Sequence, residues 1–472
     1  MSDARTPEAF DAAIIGGGAA GVLAAIGLLR QASAPLRIVL IEPGAEPGQG
    51  IAYATRDPQH LLNVPAGKMS AFADAPDDFV DFLVQAGAFS PLGRESIAPR
   101  YVPRRLYADY LHERLGAARG RSPARLQLLR DRVVALDKAG AAVVLTLQHG
   151  GRLHARQVVL AVGNAPRPLP ARGAATLEAR HRIDAWDSQA LAAIPAEATV
   201  CIAGSGLSMA DVAVSLHARG HRGPIHVVSR HALLPLAHAE AAPAAFEPQP
   251  LLAMTLRQRM HALRAHAAQA QRDGLPWQGV MERIRPLGQA LWRSLSDADQ
   301  RRFLRHVVRY WDVHRHRIAA PVHECLQLLQ QRGQLHVHRA RLQAVSAAGD
   351  GVRLGLHGAC GPLRIDAHCV INATGVEMRA QAMRNPLLQQ LLGSGAAVAG
   401  PHGIGLDTTD DGSLVDAGGN ADPRIRVIGS LRIGRLWESL AIPELRVQAR
   451  DAAAAALPAL QGQDPGEGIG NS

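Results

Sequence analysis

The sequence predicts an α/β fold of two parallel-sheet units, the second inserted into the first. Three observations carry that expectation. A short apolar run, Phe10–Ile15, leads through glycines into a helical stretch from Ala19 to Gln31 and on to a second run, Leu36–Ile41. The same order recurs later, from Ala198–Ala203 through glycines and a helix over Leu207–Arg219 to Ile225–Val228. Two further apolar runs, Cys369–Asn372 and Ile425–Ile428, lie toward the C-terminus and read as returns of the chain into the first unit. Strand, crossover helix, strand is the grammar of a parallel sheet covered by helices.

Length supports two cores. At 472 residues and 47% apolar content, the chain exceeds what a single hydrophobic core organises. The expected division is 1–190 for the first part of the leading domain, 191–365 for the inserted domain, and 366–460 for the return. Within the insert, about 245–320 reads as a helical excursion broken at Pro276 and Pro286, without strand signals. Residues 461–472, glycine-rich and polar, are expected to be a disordered tail. No apolar stretch reaches the roughly eighteen residues of a membrane span. The polar, acidic start Met1–Phe10 lacks the pattern of a signal peptide, so a cytoplasmic protein without membrane contact is expected.

Composition then narrows the chemistry. The cysteines Cys201, Cys325, Cys360 and Cys369 are scattered, with no C-x-x-C pair to act as a redox dithiol or half a zinc site. Among 21 histidines there is no H-E-x-x-H, and His314 with His316 would not share a helix face, so no metal is expected. The net charge of +10 comes from arginines spread along the chain, since only Lys68 and Lys138 are lysine. With 4% aromatic residues and no basic patch interleaved with them, a nucleic-acid partner is not expected. A basic protein favours an anionic small molecule over a cationic one.

The first glycine motif, Gly16-Gly17-Gly18-Ala19-Ala20-Gly21, is a G-x-G-x-x-G between strand and helix, and Glu42 ends the next strand. Gly16 permits the tight turn, Gly18 lets backbone approach a pyrophosphate, and Gly21 lets helix and strand pack closely. The helix N-terminus attracts phosphate, and Glu42 would accept a hydrogen bond from a ribose hydroxyl. The pattern is that of a Rossmann-like dinucleotide site.

The second motif, Gly204-Ser205-Gly206-Leu207-Ser208-Met209, keeps two glycines and puts Met209 in the third place. Its following strand ends in Ser229-Arg230 rather than an acid, and an arginine there can meet the 2′-phosphate of NADP. By analogy with other two-dinucleotide flavoproteins, the N-terminal fingerprint takes FAD, the inserted domain takes NADH or NADPH, and the return at Gly429 reaches the flavin. Many such proteins carry Gly-Asp at that return, where this sequence has Gly429-Ser430.

Several further segments are shared with one group. These are Gly50-Ile51-Ala52-Tyr53, His60-Leu61-Leu62-Asn63-Val64-Pro65, Val102-Pro103-Arg104-Arg105-Leu106-Tyr107, Trp311 to Arg317, and Trp437 to Arg446. Together with the second glycine motif they resemble the bacterial FAD/NAD(P)-binding family, from about Asp11 to Ala449. Within it, the alanine- and arginine-rich chain is most similar to flavoproteins that hydroxylate urate to 5-hydroxyisourate in purine breakdown.

That resemblance implies a monooxygenase using FAD, NAD(P)H and O2 on the urate anion. Arginine suits such a substrate, because its planar fork can pair with a carbonyl and a ring nitrogen together. Arg104, Arg105, Arg315, Arg317, Arg432 and Arg435 are the candidates. Arg432 leads because it follows the Gly429 turn, and Glu438 is the candidate base. Tyr53 and Trp437 are candidates for stacking on substrate or flavin. The alternative within enzymes is a flavin-dependent N-hydroxylase of an amine, against which the basic balance leans. A flavin-binding regulatory protein without turnover is a third reading.

Overall fold

The computed structural model describes residues 8–462. Two compact units emerge: one comprises the chain through Ala54, Val64–Ala165 and Glu377 onward, and the other Thr55–Asn63 and Pro166–Val376.

The first unit is built around strand Glu8–Ile15. Its last four residues are buried and apolar, as a strand covered on both faces requires. It runs parallel to Arg37–Ile41 on one side and Arg152–Leu160 on the other, so that Ile15 faces Ile41 and Leu160 in register. Ala421–Val427 adds a further parallel strand beside Arg152–Leu160, as expected for a C-terminal return. Ser413–Val415 and Arg125–Leu129 end the main strand order, and the hairpin Val133–Ala139 with Ala142–Leu147 pairs onto Arg152–Leu160. One face buries Ile15, Val39, Leu160, Leu391, Leu406 and Val427. Helices Ala19–Gln31 and Ile442–Gln461 pack on each other at Gly27, where an added Cβ would stand 3.2 Å from both Ala449 O and Ala453 Cβ.

The second unit has a seven-stranded sheet. Its centre is Ile225–Ser229, Val200–Ala203 and Cys369–Asn372, with Arg182–Asp184 at one end. At the other end, Leu335–Ala348 leads into the antiparallel strands Gly351–Gly358 and Gly361–Ala367. This corrects three expectations. Cys369–Asn372 is no return to the first sheet: it lies between Val200–Ala203 and Arg182–Asp184. The unit therefore runs to Val376 rather than 365. It begins at Pro166 rather than 191, because Arg182–Asp184 pairs into its sheet. It also takes in Thr55–Asn63 from the N-terminal part of the chain.

The helical excursion belongs to this second unit. Helices Leu256–Arg272, Gln278–Ile284, Gly288–Arg293, Asp297–Arg302 and Val308–Arg315 follow one another, and both Pro276 and Pro286 fall at breaks between them. The first helix starts with a capping box, Thr255 and Gln258 each satisfying the other's backbone N–H. Leu251, Met281, Ile284 and Leu291 form a small core of their own. The expected tail lies outside the described residues beyond Gly462, which closes the last helix in left-handed conformation at φ +75°. Among the described residues no helix is long and apolar enough to cross a membrane.

The cysteines are separated by exposure. Cys201 and Cys369, on neighbouring strands, are fully buried, and burial pushes both thiols up to about 12. Cys360 lies exposed in the turn between Gly351–Gly358 and Gly361–Ala367. In a thiol titration of the native protein at pH 8, Cys360 should react first. Cys201 and Cys369 should react only after unfolding, and rapid labelling of either would contradict their placement.

Candidate functional site

The Gly16–Gly21 turn shows why each glycine stands where it does. Gly16 takes φ +103°, and a Cβ on it would lie 2.4 Å from Ala161 O. A Cβ on Gly21 would lie 1.8 Å from Gly16 O, so helix and strand approach to a distance only glycine allows. Gly18 is different. A Cβ there would meet only Gly50 Cα, at 3.7 Å, and no side chain caps the helix that Gly18 begins. The N-terminal N–H groups of that helix are thus offered to an anion in front of an open backbone.

Glu42 stands at the end of its strand, as expected, and its carboxylate is held by backbone. Oε2 accepts from Gly17 N–H at 2.6 Å and Oε1 from Gly44 N–H at 2.8 Å. A carboxylate has about four acceptor positions, so capacity for a ribose hydroxyl remains. Gly429, at φ +76°, donates its N–H to Gln448 Oε1 at 2.9 Å, and its carbonyl accepts from Ser439 Oγ at 3.3 Å. Beside it Ser430 is 8% exposed, and its Oγ has no protein partner. The same is true of Asn164 Oδ1, just beyond strand Arg152–Leu160. Buried polar atoms are nearly always hydrogen-bonded, so these two fit a polar ligand along this edge of the first unit.

The expected substrate arginines are placed otherwise. Arg432 is 5% exposed, and its guanidinium donates to the Thr409 and Asp410 carbonyls at 3.2 and 2.8 Å. Arg435 donates to Thr408 O at 2.9 Å and faces Asp407 at 3.5 Å. Both hold the 407–410 turn, so Arg432 is corrected from a substrate ligand to a structural clamp. Arg105 lies exposed at 3.9 Å from Asp109. Tyr53 packs against Tyr107 with ring centroids 4.9 Å apart, and burial raises its hydroxyl pKa. Trp437 adopts φ +61°, ψ −68°, with Glu438 N–H donating to Leu436 O at 2.8 Å. This is the rare positive-φ γ-turn, a strained geometry for a bulky residue. It fixes where the half-buried Glu438 begins.

In the second unit Gly204 is again forced, at φ +109°, since a Cβ added to it would lie 2.3 Å from Ala373 O, while Gly206 has open space. Met209 is fully buried in the place of a third glycine. Arg230, at the end of strand Ile225–Ser229, has its pKa lowered by burial and then by the guanidinium groups of Arg309, Arg341 and Arg167. Gathering like charges is unfavourable until an anion joins them. Sequence reasoning finds only Arg230 of this group, because the other three come from distant stretches. It also misses the attachment of 55–63. His60 Nε2 lies 2.8 Å from Ser215 Oγ, which donates to Asp57, and His60 Nδ1 lies 2.7 Å from Thr55 Oγ1. Ser215 is 2% exposed on helix Leu207–Ala218, so this Ser, His and Asp set fastens a segment rather than presenting a nucleophile.

Residues 13–165 match the family described as FAD-NAD(P)-binding. Solved structures extend the likeness over nearly the whole chain. The ornithine N-hydroxylase of Kutzneria sp. 744 has 14% identity and a TM-score of 0.66, covering 95% of this chain and 99% of its own. The L-lysine 6-monooxygenase of Pseudomonas syringae has 19% identity and a TM-score of 0.63, with the same coverage. The FAD-bound cadaverine monooxygenase of desferrioxamine biosynthesis from Erwinia amylovora has 13% identity and a TM-score of 0.57, covering 99% of each chain. No curated protein sequence matches the chain. At these identities the likeness establishes the fold alone: two Rossmann-like units.

The open and closed glycines separate binding from folding. Gly18→Val should fold with a nearly unchanged thermal transition and yet retain no FAD. Gly21→Ala should lower stability by about 1–3 kcal/mol or more, the cost of overpacking. Stoichiometric FAD on a folded Gly18→Val protein would contradict the site. For the second unit, Arg230→Ala should weaken NADPH by roughly 10–100-fold, the worth of hydrogen bonds to a charged group, and NADH far less. Titration of flavin reduction with each nucleotide reads that difference.

Proposed function

We propose that the protein is an NAD(P)H- and FAD-dependent monooxygenase that N-hydroxylates a primary amine. The observation that carries this is the pairing of two dinucleotide cradles in a chain whose thiols cannot serve as electron acceptor. Cys201 and Cys369 are buried and protonated, and the four cysteines form no C-x-x-C pair. Electrons passed from nicotinamide to flavin then need an acceptor from outside, and O2 supplies one. The amine follows from the similar ornithine, lysine and cadaverine enzymes. Those same likenesses give no support to urate, which the family resemblance alone suggested.

The balance is complete with NAD(P)H as reductant. One oxygen atom of O2 enters the N–H bond to give N–OH, and the other leaves as water, taking a hydride's two electrons and hydrogen from NAD(P)H and one further proton. FAD supplies the redox chemistry when bound. The chain's own part is to hold the pyrophosphate at Gly18 and the helix N-terminus, to anchor the ribose at Glu42, and to offer Ser430 and Gly429 at the return strand. Gly204, Gly206 and Arg230 hold the nicotinamide. Glu438, set by the γ-turn at Trp437, is the proposed proton-handling carboxylate.

The test begins with anaerobic reduction of the FAD-loaded protein by NADH and by NADPH. Oxygen is then admitted with L-ornithine, L-lysine, cadaverine or urate, and hydroxylamine, residual urate and peroxide are measured. Hydroxylamine formed in about one-to-one ratio with NAD(P)H, with little peroxide, is expected for one of the amines. Loss of urate with no hydroxylamine would restore the urate reading, and peroxide alone under every condition would defeat both. Glu438→Gln should cut kcat at least tenfold while FAD and nicotinamide binding persist.

A further inference from the structure

Two neighbouring strands of the second unit carry three histidines on one face. Strand Ile225–Ser229 runs parallel to strand Leu335–Ala348, with His226 opposite His336 and Val228 opposite His338. The i, i+2 spacing that would part His314 from His316 on a helix does the reverse on a strand, whose side chains alternate between faces. His336 and His338 therefore share a face, and the register brings His226 to that same face. All three lie within Pro166–Val376 of one compact unit.

The rings meet as the backbone dictates. His226 Nδ1 lies 3.0 Å from His338 Nε2. The His226 ring centre is 5.2 Å from that of His338 and 5.1 Å from that of His336, on which it stacks at 27°. His226 and His338 are half-buried and His336 is exposed, so solvent reaches the cluster at His336.

A hydrogen bond between His226 and His338 needs only those two rings and gives the third no part. A metal ion uses all three. Two imidazole nitrogens bound at about 2.1 Å in adjacent positions of a square-planar or octahedral ion stand about 3.0 Å apart, whereas a tetrahedral ion spreads them to about 3.4 Å. The observed separation suits the first geometry, which Ni(II) and Cu(II) prefer among nitrogen ligands. Among the described residues no three such side chains already converge on one point, so a third ligand has to swing in. His336, exposed and already stacked on His226, is the ring placed to do so. We propose that His226, His336 and His338 bind one Ni(II) or Cu(II) ion, His226 through Nδ1 and His338 through Nε2, with His336 turning in as the third ligand and water completing the shell. The ion takes the place of the proton between the first two rings and ties strand Ile225–Ser229 to strand Leu335–Ala348. The site uses none of the residues assigned to either cofactor and does not depend on the amine reading.

The experiment uses the FAD-loaded chain without an affinity tag, stripped with EDTA and then dialysed against NiCl2, CuCl2 or MgCl2 at pH 7.5, where free imidazole is mostly neutral. One Ni(II) or Cu(II) ion per chain should be retained and no Mg(II), because so hard an ion takes oxygen ligands. With one equivalent of Cu(II), the electron paramagnetic resonance spectrum should show splitting from three imidazole nitrogens. His338→Gln removes one half of the close pair, and His336→Gln removes the exposed ring. Each should weaken the ion by at least about tenfold and reduce the splitting to two nitrogens. Ni(II) should raise the thermal transition of the native chain and leave that of either variant nearly unmoved, since only a bound ion stabilises the folded state. Bound FAD and the circular dichroism spectrum report that the variants are folded. Retention of no ion, or an ion held as tightly by both variants and so by other histidines, would overturn the assignment. Weakening by His338→Gln but not by His336→Gln would show that His336 is no ligand, and the three-ring site would fall.

Discussion

The first unit depends on one close approach. Gly21 in the helix rides over Gly16 O, while Gly16 itself presses on Ala161 O, the residue just beyond strand Arg152–Leu160. Three segments are therefore locked at one point: the first strand, the first helix and a strand from much later in the chain. The lock also fixes the direction of the helix, whose uncapped N-terminus opens beside Gly18. The open, uncapped helix end is thus a by-product of backbone packing and needs no charged side chain in the turn. The second unit repeats the device with Gly204 against Ala373 O. Met209 stands fully buried where a third glycine would be.

Arginine has a structural use here that the net charge of +10 conceals. Arg259 donates to the Leu252, Met254 and Leu291 carbonyls. Arg446 donates to Ser70 O and Phe72 O, and Arg156 to Ala459 O and Leu460 O. A planar group with five donors can close several carbonyls at once, which an ammonium on a flexible stem does less well. Part of the basic composition is therefore spent on backbone clamps. An argument from net charge to an anionic substrate loses its force accordingly.

What is legible in the sequence is what depends on near neighbours. The glycine turns, Glu42 at its strand end, the second dinucleotide unit and the helical excursion all follow from spacings of a few residues, and the structure has them. Cys369–Asn372 reads as part of the wrong sheet because four buried apolar residues look the same in either, and only pairing with Val200–Ala203 decides. Arg432 misleads for a similar reason. Its partners are carbonyls 22 and 23 residues back in the chain, and backbone atoms leave no mark in a sequence. The Arg230 group and the fastening of 55–63 by His60 and Ser215 are out of reach on the same ground, since each joins residues far apart in the chain.

The order in which the chain leaves the ribosome now matters. The parent sheet of the second unit is complete once Cys369–Asn372 has emerged, needing only the early segment 55–63 to be fastened on. The first unit begins earlier and ends later. Its strand Ala421–Val427 and the helix Ile442–Gln461 that covers Ala19–Gln31 are made only after the second unit. During synthesis the apolar faces of Ala19–Gln31 and of strand Arg152–Leu160 must wait uncovered while some two hundred residues of a self-sufficient neighbour fold between them and their partners, a period in which a chaperone that shields apolar surface has something definite to hold.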